Sequence, residues 1–440
     1  MTMGMTSPRV LVTDMGLVAA SGVGIEEAWR CVVEGRSCIG PIRSFDARAF
    51  PGALGAELID VPAAGRGDDE RSIHLLLAAV GTLSTGLEEH LRSHPDAALR
   101  TAVVLGTSKG VVLGMGEVHR KVRERAGRLS DADLRTIEAY RPGYGTLRLS
   151  ERLGARGPRS TLGLACASSS MAIAHAAELL KLGLADRAVA GGFDGFSPFI
   201  FTGFDAIGAL TRTRCRPFDR RRDGTVLGEG AALLVLETAE AALARGVRPI
   251  AELEGAGFTA DGVHLTAPDR EGRGLARTVR QALDAAGLEA DDVDYINAHG
   301  TGTRFNDAME CVAFDKVFGE REVMPPISSV KSIFGHTLGA AGALDAIISI
   351  LSLDRQMLPP TVGCGGETEV DGWDFVPGRG RRVDELERVV TTNSGFAGNN
   401  TALIFRRCAP SPDPASTNVH DEKNRPHSCE HGVPAHTRSG

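Results

Sequence analysis

Aromatic residues that stack on bases are scarce in this 440-residue chain, which has two tryptophans and three tyrosines. A stacking platform for single-stranded nucleic acid is therefore not expected. A basic excess is missing too: 49 Lys and Arg stand against 56 Asp and Glu, a formal net charge of −7. Such a balance does not suit a phosphate backbone. No two of the eight cysteines make a CxxC pair, so structural zinc lacks its usual ligands, and we assign no metal site. No run approaches the ~20 apolar residues of a membrane span. The start, MTMGMTSPRVLVTDMG, has neither a charged n-region nor a long apolar core. The expectation is a reducing, cytoplasmic setting without disulfides.

Glycine and alanine are plentiful, and strand-like and helix-like stretches alternate along the chain, which reads as an α/β class. The layout looks duplicated. An apolar stretch ending at Cys166 enters an Ala-rich helix, and ISSVKSIFGH, ending at His336, enters TLGAAGALDAIISIL. The two helix starts read as equivalent positions. We place one half at 1–249 and the other at 250–408. Residues 409–440, rich in Pro, Ser, His and charge with no apolar period, read as a disordered tail. The charged stretch 115–141 reads as a solvated helical excursion, with a cap over a site as the alternative.

GLACASSS places one cysteine among small residues at a helix start. Taken alone it is open to several readings: packing, a metal ligand, half of a disulfide or a nucleophile. A helix N-terminus favours a thiolate, and small neighbours leave room for a substrate. Two further stretches shift the balance towards the nucleophile. NAHGTGTRFND sets His299 at a strand end beside glycines, and SSVKSIFGHTLGAAG sets His336 at the second helix start with Lys331 upstream. NSGFAGNN is a turn whose free N–H groups suit an oxyanion.

These stretches, in this order and together with CRPFDRRRDGTVLGEGAALLVLET, resemble the β-ketoacyl synthases of the thiolase superfamily, in particular the elongating Cys-His-His type. The resemblance runs from about residue 8 to 407. It implies a thiolase-like duplicated fold, two similar halves in an α-β-α-β-α arrangement. It implies that Cys166 takes an acyl group from a carrier thioester, and that His299 and His336 assist malonyl decarboxylation. Lys331 would set the electrostatics around His299, with Glu310 supporting Lys331. Backbone N–H groups of Cys166 and Phe396 would form an oxyanion hole, and Phe396 would act as a gate. Thr301 and Thr303 would touch the phosphopantetheine arm, with Ser394 also at the substrate. Asp307, Asp219, Asp223 and Glu229 would be scaffold. No bound cofactor is implied beyond the phosphopantetheine of the acyl carrier protein. The arginines of RTRCRPFDRRRDG are candidates to meet that acidic carrier, and a homodimer or heterodimer with a related subunit is implied.

The chain departs from the family pattern at three places. Ala397 stands where Gly is usual and is expected to resist a positive φ. Ser394 takes an aromatic position, and Leu164 a Thr position. Against plain elongation stand two other outcomes: intramolecular ring closure from the acyl-cysteine, and a partner subunit that shapes another chain's product. The presence of Cys166, His299, His336 and Lys331 argues against the latter.

Overall fold

Two successive runs of strands build the same pattern twice. The computed structural model describes residues 8–50, 53–62, 64, 70–110, 113–124, 128–365 and 367–408. In the first run lie β1 (Val10–Ala19), β2 (Thr101–Gly106), β3 (Arg159–Leu162), β4 (Arg187–Asp194) and β5 (Gly230–Thr238). In the second lie β6 (Ala251–Ala260), β7 (Tyr295–Asn297), β8 (Ile327–Ser328), β9 (Arg388–Gly395) and β10 (Asn399–Arg407). The first half is ordered β3-β2-β4-β5-β1 and the second β8-β7-β9-β10-β6. In both, the first three strands of that order run parallel and the last two are antiparallel to their neighbours. Even the irregularities repeat: register shifts fall at Val12/Asp14 in β1 and at Leu253/Gly255 in β6. The halves meet where β1 pairs antiparallel with β6, at Leu11–Glu252 and Val12–Ala251.

Helices fill three layers. On the outer face of the first half lies α1 (Arg71–Val80), packed on β1, β4 and β5. Between the halves lies α2 (Ser168–Lys181), followed along the chain by α3 (Pro198–Ala206). On the outer side of the second half, α4 (Arg273–Ala286) packs on β6 and β10, and α5 (Arg304–Phe318) packs on α4. The second central helix is α6 (Ala341–Arg355), which touches α2 and strands of both halves. The result is the α-β-α-β-α sandwich that the family resemblance implies. Residues 341–353 are buried without a break, because ALDAIISILSL is apolar on every side. Each buried Leu or Ile there contributes about 1.5–3 kcal/mol. Its buried Ser349 and Ser352 hydroxyls donate to carbonyls one turn back, at Asp345 and Ile348. A Cβ on Gly342 would fall 1.8 Å from Ser170 Oγ, so glycine is what lets α6 approach α2.

Residues 71–93 form two helices, α1 and Leu87–Ser93, with a break between them. The Asp14 carboxylate accepts from the backbone and hydroxyl groups of Ser84 and Thr85, which fixes the break. The charged stretch forms helices Leu113–Glu124 and Asp131–Ala139, the latter started by a Ser130–Asp133 capping box. None of its described residues lines the cavity at Cys166. Among the described residues no helix is long and apolar enough to cross a membrane. The tail read as disordered, 409–440, lies outside the described residues.

Candidate active site

Cys166, the candidate nucleophile, sits on a strained turn. β3 ends at Leu162, and a single helical turn, Ala165–Ala167, leads into α2. Ala165 takes φ 49°, a conformation that costs an L-residue about 1–2 kcal/mol. Ser168 holds the turn: its hydroxyl donates to the Ala165 carbonyl at 2.6 Å and accepts from Leu164 N–H at 2.8 Å. Nothing in the structure explains leucine at 164. Cys166 is 5% exposed, at the end of a cavity of about 440 Å³ that Thr301, Thr303, Ser394, Phe204 and Phe396 also line.

The second half supplies the same turn at Leu338–Ala340, entered by Leu338 at φ 55° and followed by α6. Matching the two turns sets Gly339, rather than His336, opposite Cys166. His336 lies just ahead of the turn, and from there Nε2 comes within 2.9 Å of Cys166 Sγ. His299, beyond the end of β7, meets His336 edge to face with ring centres 5.1 Å apart. Both imidazoles line the cavity and both are buried. The three residues singled out from distant parts of the sequence therefore converge.

Their supports differ in part from the expected ones. Lys331 pairs with Asp345 at 2.9 Å rather than with Glu310. Glu310, on α5, grips the loop backbone instead, accepting from His299 N–H and Gly300 N–H at 2.7 Å each. Asp345 also accepts from the Asn393 amide at 2.8 Å, and that same amide lies 3.3 Å from His299 Nδ1. Ser170 donates to Asn393 Oδ1 and so fixes the amide's orientation. The chain Lys331–Asp345–Asn393–His299 thus links the buried charge to the imidazole. Its donor at Nδ1 leaves the His299 proton on Nε2. Asp345 and Asn393 escaped the sequence reading. Asp345 left a trace there, as the one acid in an apolar stretch. Asp307 accepts from Phe218 N–H and Gly302 N–H, tying the His299 loop to the 218 segment. Thr301 and Thr303 share a 2.9 Å hydroxyl contact. Glu229 accepts from Leu58 and Phe196 N–H and pairs with Arg71, Asp219 pairs with Arg221, and Asp223, on the cavity wall, accepts from Thr211.

The β9–β10 turn closes the site. A Cβ on Gly395 would lie 2.8 Å from Leu164 O and 3.1 Å from Cys166 N, so only glycine brings this turn so near the nucleophile. Ala397 does adopt φ 64°, contrary to expectation. Its N–H donates to Leu265 O at 2.7 Å, and Gly398 O accepts from Asp261 N–H at 2.9 Å, which offsets the strain. Phe396 stacks on Phe204 with centres 5.4 Å apart. Ser394 donates to Asn400, and Asn400 donates to Asp261, a polar strip along one cavity wall.

Residues 7–242 match the N-terminal domain of beta-ketoacyl synthase and residues 250–365 its C-terminal domain. The chain belongs to the β-ketoacyl synthase family. This β-ketoacyl synthase, an acyltransferase, is 35% identical over 415 residues to a putative polyketide beta-ketoacyl synthase 1 of Streptomyces halstedii, covering 91% of this chain and 98% of that one. It is 34% identical over 417 residues to 3-oxoacyl-[acyl-carrier-protein] synthase 2 of Vibrio cholerae, covering 92% and 100%. Among solved structures, the ishigamide ketosynthase/chain length factor superposes with a TM-score of 0.83 at 33% identity, covering 92% of this chain and 100% of that one.

Burial sets the charge state of the three converging side chains. It pushes the Cys166 thiol up to about 12, against the pull of Lys331. The thiolate expected from the helix start is therefore outweighed by burial, which favours the thiol. Burial, seconded by Lys331, lowers His336 to about 3 and His299 well below the usual imidazole range. Both histidines are therefore neutral at physiological pH, each with one N–H to donate.

Proposed function

We propose that this chain is a discrete β-ketoacyl-[acyl-carrier-protein] synthase of polyketide or other specialised metabolism, working through an acyl-Cys166 intermediate. The observation that carries this is the 2.9 Å contact of His336 Nε2 with Cys166 Sγ, with His299 alongside in one cavity. In the first half-reaction Sγ attacks the carrier thioester carbonyl, and the thiol proton ends on the departing carrier thiol. The N–H groups of Cys166 and Phe396 face the developing oxyanion; the close approach of Gly395 to Cys166 N supports this pairing. Malonyl carrier then replaces the free carrier, its phosphopantetheine arm passing Thr301 and Thr303. His299 Nε2–H and His336 donate to the thioester oxygen. The carboxylate leaves as carbon dioxide, and its electron pair forms the enolate. The enolate carbon attacks the acyl-Cys166 carbonyl, the C–S bond breaks, and the thiolate takes up one proton from solvent. Neutral imidazoles suit this step, since nothing has to be deprotonated first.

The Streptomyces relative's name and the ketosynthase/chain length factor likeness support the polyketide reading and a dimer, with an acyl carrier protein as donor. Exposed apolar side chains at Leu134, Ile137 and Tyr140 support a covered face. The test is single-turnover: acylated enzyme is mixed with malonyl carrier, and the carrier product is weighed. A carrier bearing the acyl chain lengthened by two carbons supports condensation. An acyl group that leaves Cys166 without malonyl carrier refutes it and points to ring closure or hydrolysis.

A further inference from the structure

A buried hydroxyl on the wall of the Cys166 cavity is left unused by the fold. Thr225 is 2% exposed and lines that cavity together with Cys166, His299 and His336. Its backbone is fully engaged: the N–H donates to Ala209 O and the carbonyl accepts from Thr211 N–H, both at 2.9 Å. Its Oγ1 is enclosed and has no hydrogen-bond partner among the described residues. The Cys215 thiol lies beside it, but a thiol is a weak acceptor, and this one donates to Thr301 O at 3.6 Å instead. Among the described buried oxygens and nitrogens of side chains on this cavity, only His336 Nδ1 shares that condition. Leaving a buried hydroxyl unmet is costly, and folded proteins seldom do so.

The chain places this hydroxyl between the two histidines. Gly224 N–H, one residue before it, donates to Gly302 O in the His299 loop at 3.1 Å. Val226 O, one residue after it, accepts from His336 N–H at 2.7 Å, and Leu227 forms a bridge with His336. One staggered step about χ1 moves a threonine hydroxyl to another corner of Cβ without moving the backbone. In the condensation, the imidazoles address the malonyl thioester oxygen. The malonyl carboxylate is separated from that carbonyl by a single CH₂ group, so it falls beside the same two loops. The charged side chains on the cavity do not suit it: Asp223 and Asp261 repel an anion, and Arg304 is exposed at the start of α5. A neutral donor fits a group that must leave as carbon dioxide, because it orients the carboxylate without the tighter hold of an ion pair.

We infer that Thr225 positions the extender unit: its hydroxyl donates to the malonyl carboxylate before decarboxylation. This rests on the ketosynthase reading above. The hydroxyl keeps its proton throughout. When the C–C bond breaks, its electron pair stays in the enolate, carbon dioxide departs, and Oγ1 is free for the next malonyl carrier.

The test uses the full chain with Cys166 already carrying an octanoyl group, mixed with increasing malonyl carrier in a single turnover. Wild type is compared with Thr225→Val, which keeps the shape and removes the hydroxyl, and with Thr225→Ser. Thr225→Val is expected to raise the half-saturating concentration of malonyl carrier about 10-fold without lowering the maximal rate, and Thr225→Ser to stay near wild type. Acetyl carrier has the arm but no carboxylate, and is expected to compete equally well in wild type and Thr225→Val. Urea denaturation of Thr225→Val is expected to show no loss of stability, since no hydrogen bond within the fold is removed. An unchanged half-saturation in Thr225→Val overturns the inference. So does a fall in maximal rate alone, or an equal weakening of acetyl carrier, which would put the hydroxyl on the shared arm. A loss of stability also overturns it, by giving the hydroxyl a partner inside the fold. Each of these outcomes leaves the acyl-enzyme standing, whereas no acylation of wild-type Cys166 by any donor removes the ketosynthase reading with it.

Discussion

Removing the Asp345 carboxylate separates stability from catalysis. Lys331 and Asp345 are each 2% exposed and 2.9 Å apart, so each neutralises a charge that water cannot reach. Deleting one partner of such a pair costs about 3–5 kcal/mol, whereas replacing both with apolar groups is near neutral. Asp345→Leu is therefore expected to lose that amount in urea denaturation, and Lys331→Met/Asp345→Leu to return to within ~1 kcal/mol of wild type. Activity is expected not to return. Without the carboxylate, Asn393 loses a partner that holds its amide against His299 Nδ1, and Nε2–H is no longer fixed towards the substrate. Loss of one such preorganised donor lowers turnover by roughly 10²-fold. Carbon dioxide release from malonyl carrier measures it. A double variant that regains both stability and turnover would refute the proposed link from Lys331 to His299, as would an Asp345→Leu protein as stable as wild type.

Other expectations are simpler. Ala397→Gly relieves φ 64° and should stabilise the fold by about 1 kcal/mol, read from the urea midpoint. Gly395→Ala puts a Cβ 2.8 Å from Leu164 O, and should cost about 1–3 kcal/mol and slow Cys166 acylation markedly. The depressed histidines also make stability depend on pH. Above about 6.5 both the folded and unfolded states hold His336 and His299 neutral, and the two groups add no slope. Below it the unfolded chain binds protons that the folded one refuses until about 3 for His336, so stability falls as pH falls. The slope approaches about 1.4 kcal/mol per pH unit for each histidine well below 6.5, and urea titrations at about pH 5.5 and 4.5 should show one share vanish in His336→Phe.

Residues that must sit on special backbone were readable from the chain. Cys166, His299, His336 and the turn at Phe396 each stand beside glycines or small residues that admit a ligand, and these clusters recur at strand ends. The duplication showed as two apolar stretches entering Ala-rich helices, and both halves do share one strand order. What depends on long-range pairing was hidden. Glu310 follows His299 by one helical approach and takes its backbone, while Lys331 finds Asp345 across the next helix start, a choice that side-chain reach and packing decide. Asn393 joins them only because β9 lies beside β7. The offset between His336 and Gly339 was equally invisible, since the repeat is in φ angles and turns rather than in residue types. At the thiol, local helix-end electrostatics and burial act in opposite senses, and only the folded environment shows that burial prevails.

The most direct measurement is the intact mass of the protein after incubation with a panel of acyl-carrier thioesters, wild type against Cys166→Ala. The expected result is a gain equal to one acyl group in wild type and none in the variant. The same gain in Cys166→Ala, or no gain in wild type from any donor, would contradict the assignment of Cys166 as the acyl-bearing nucleophile.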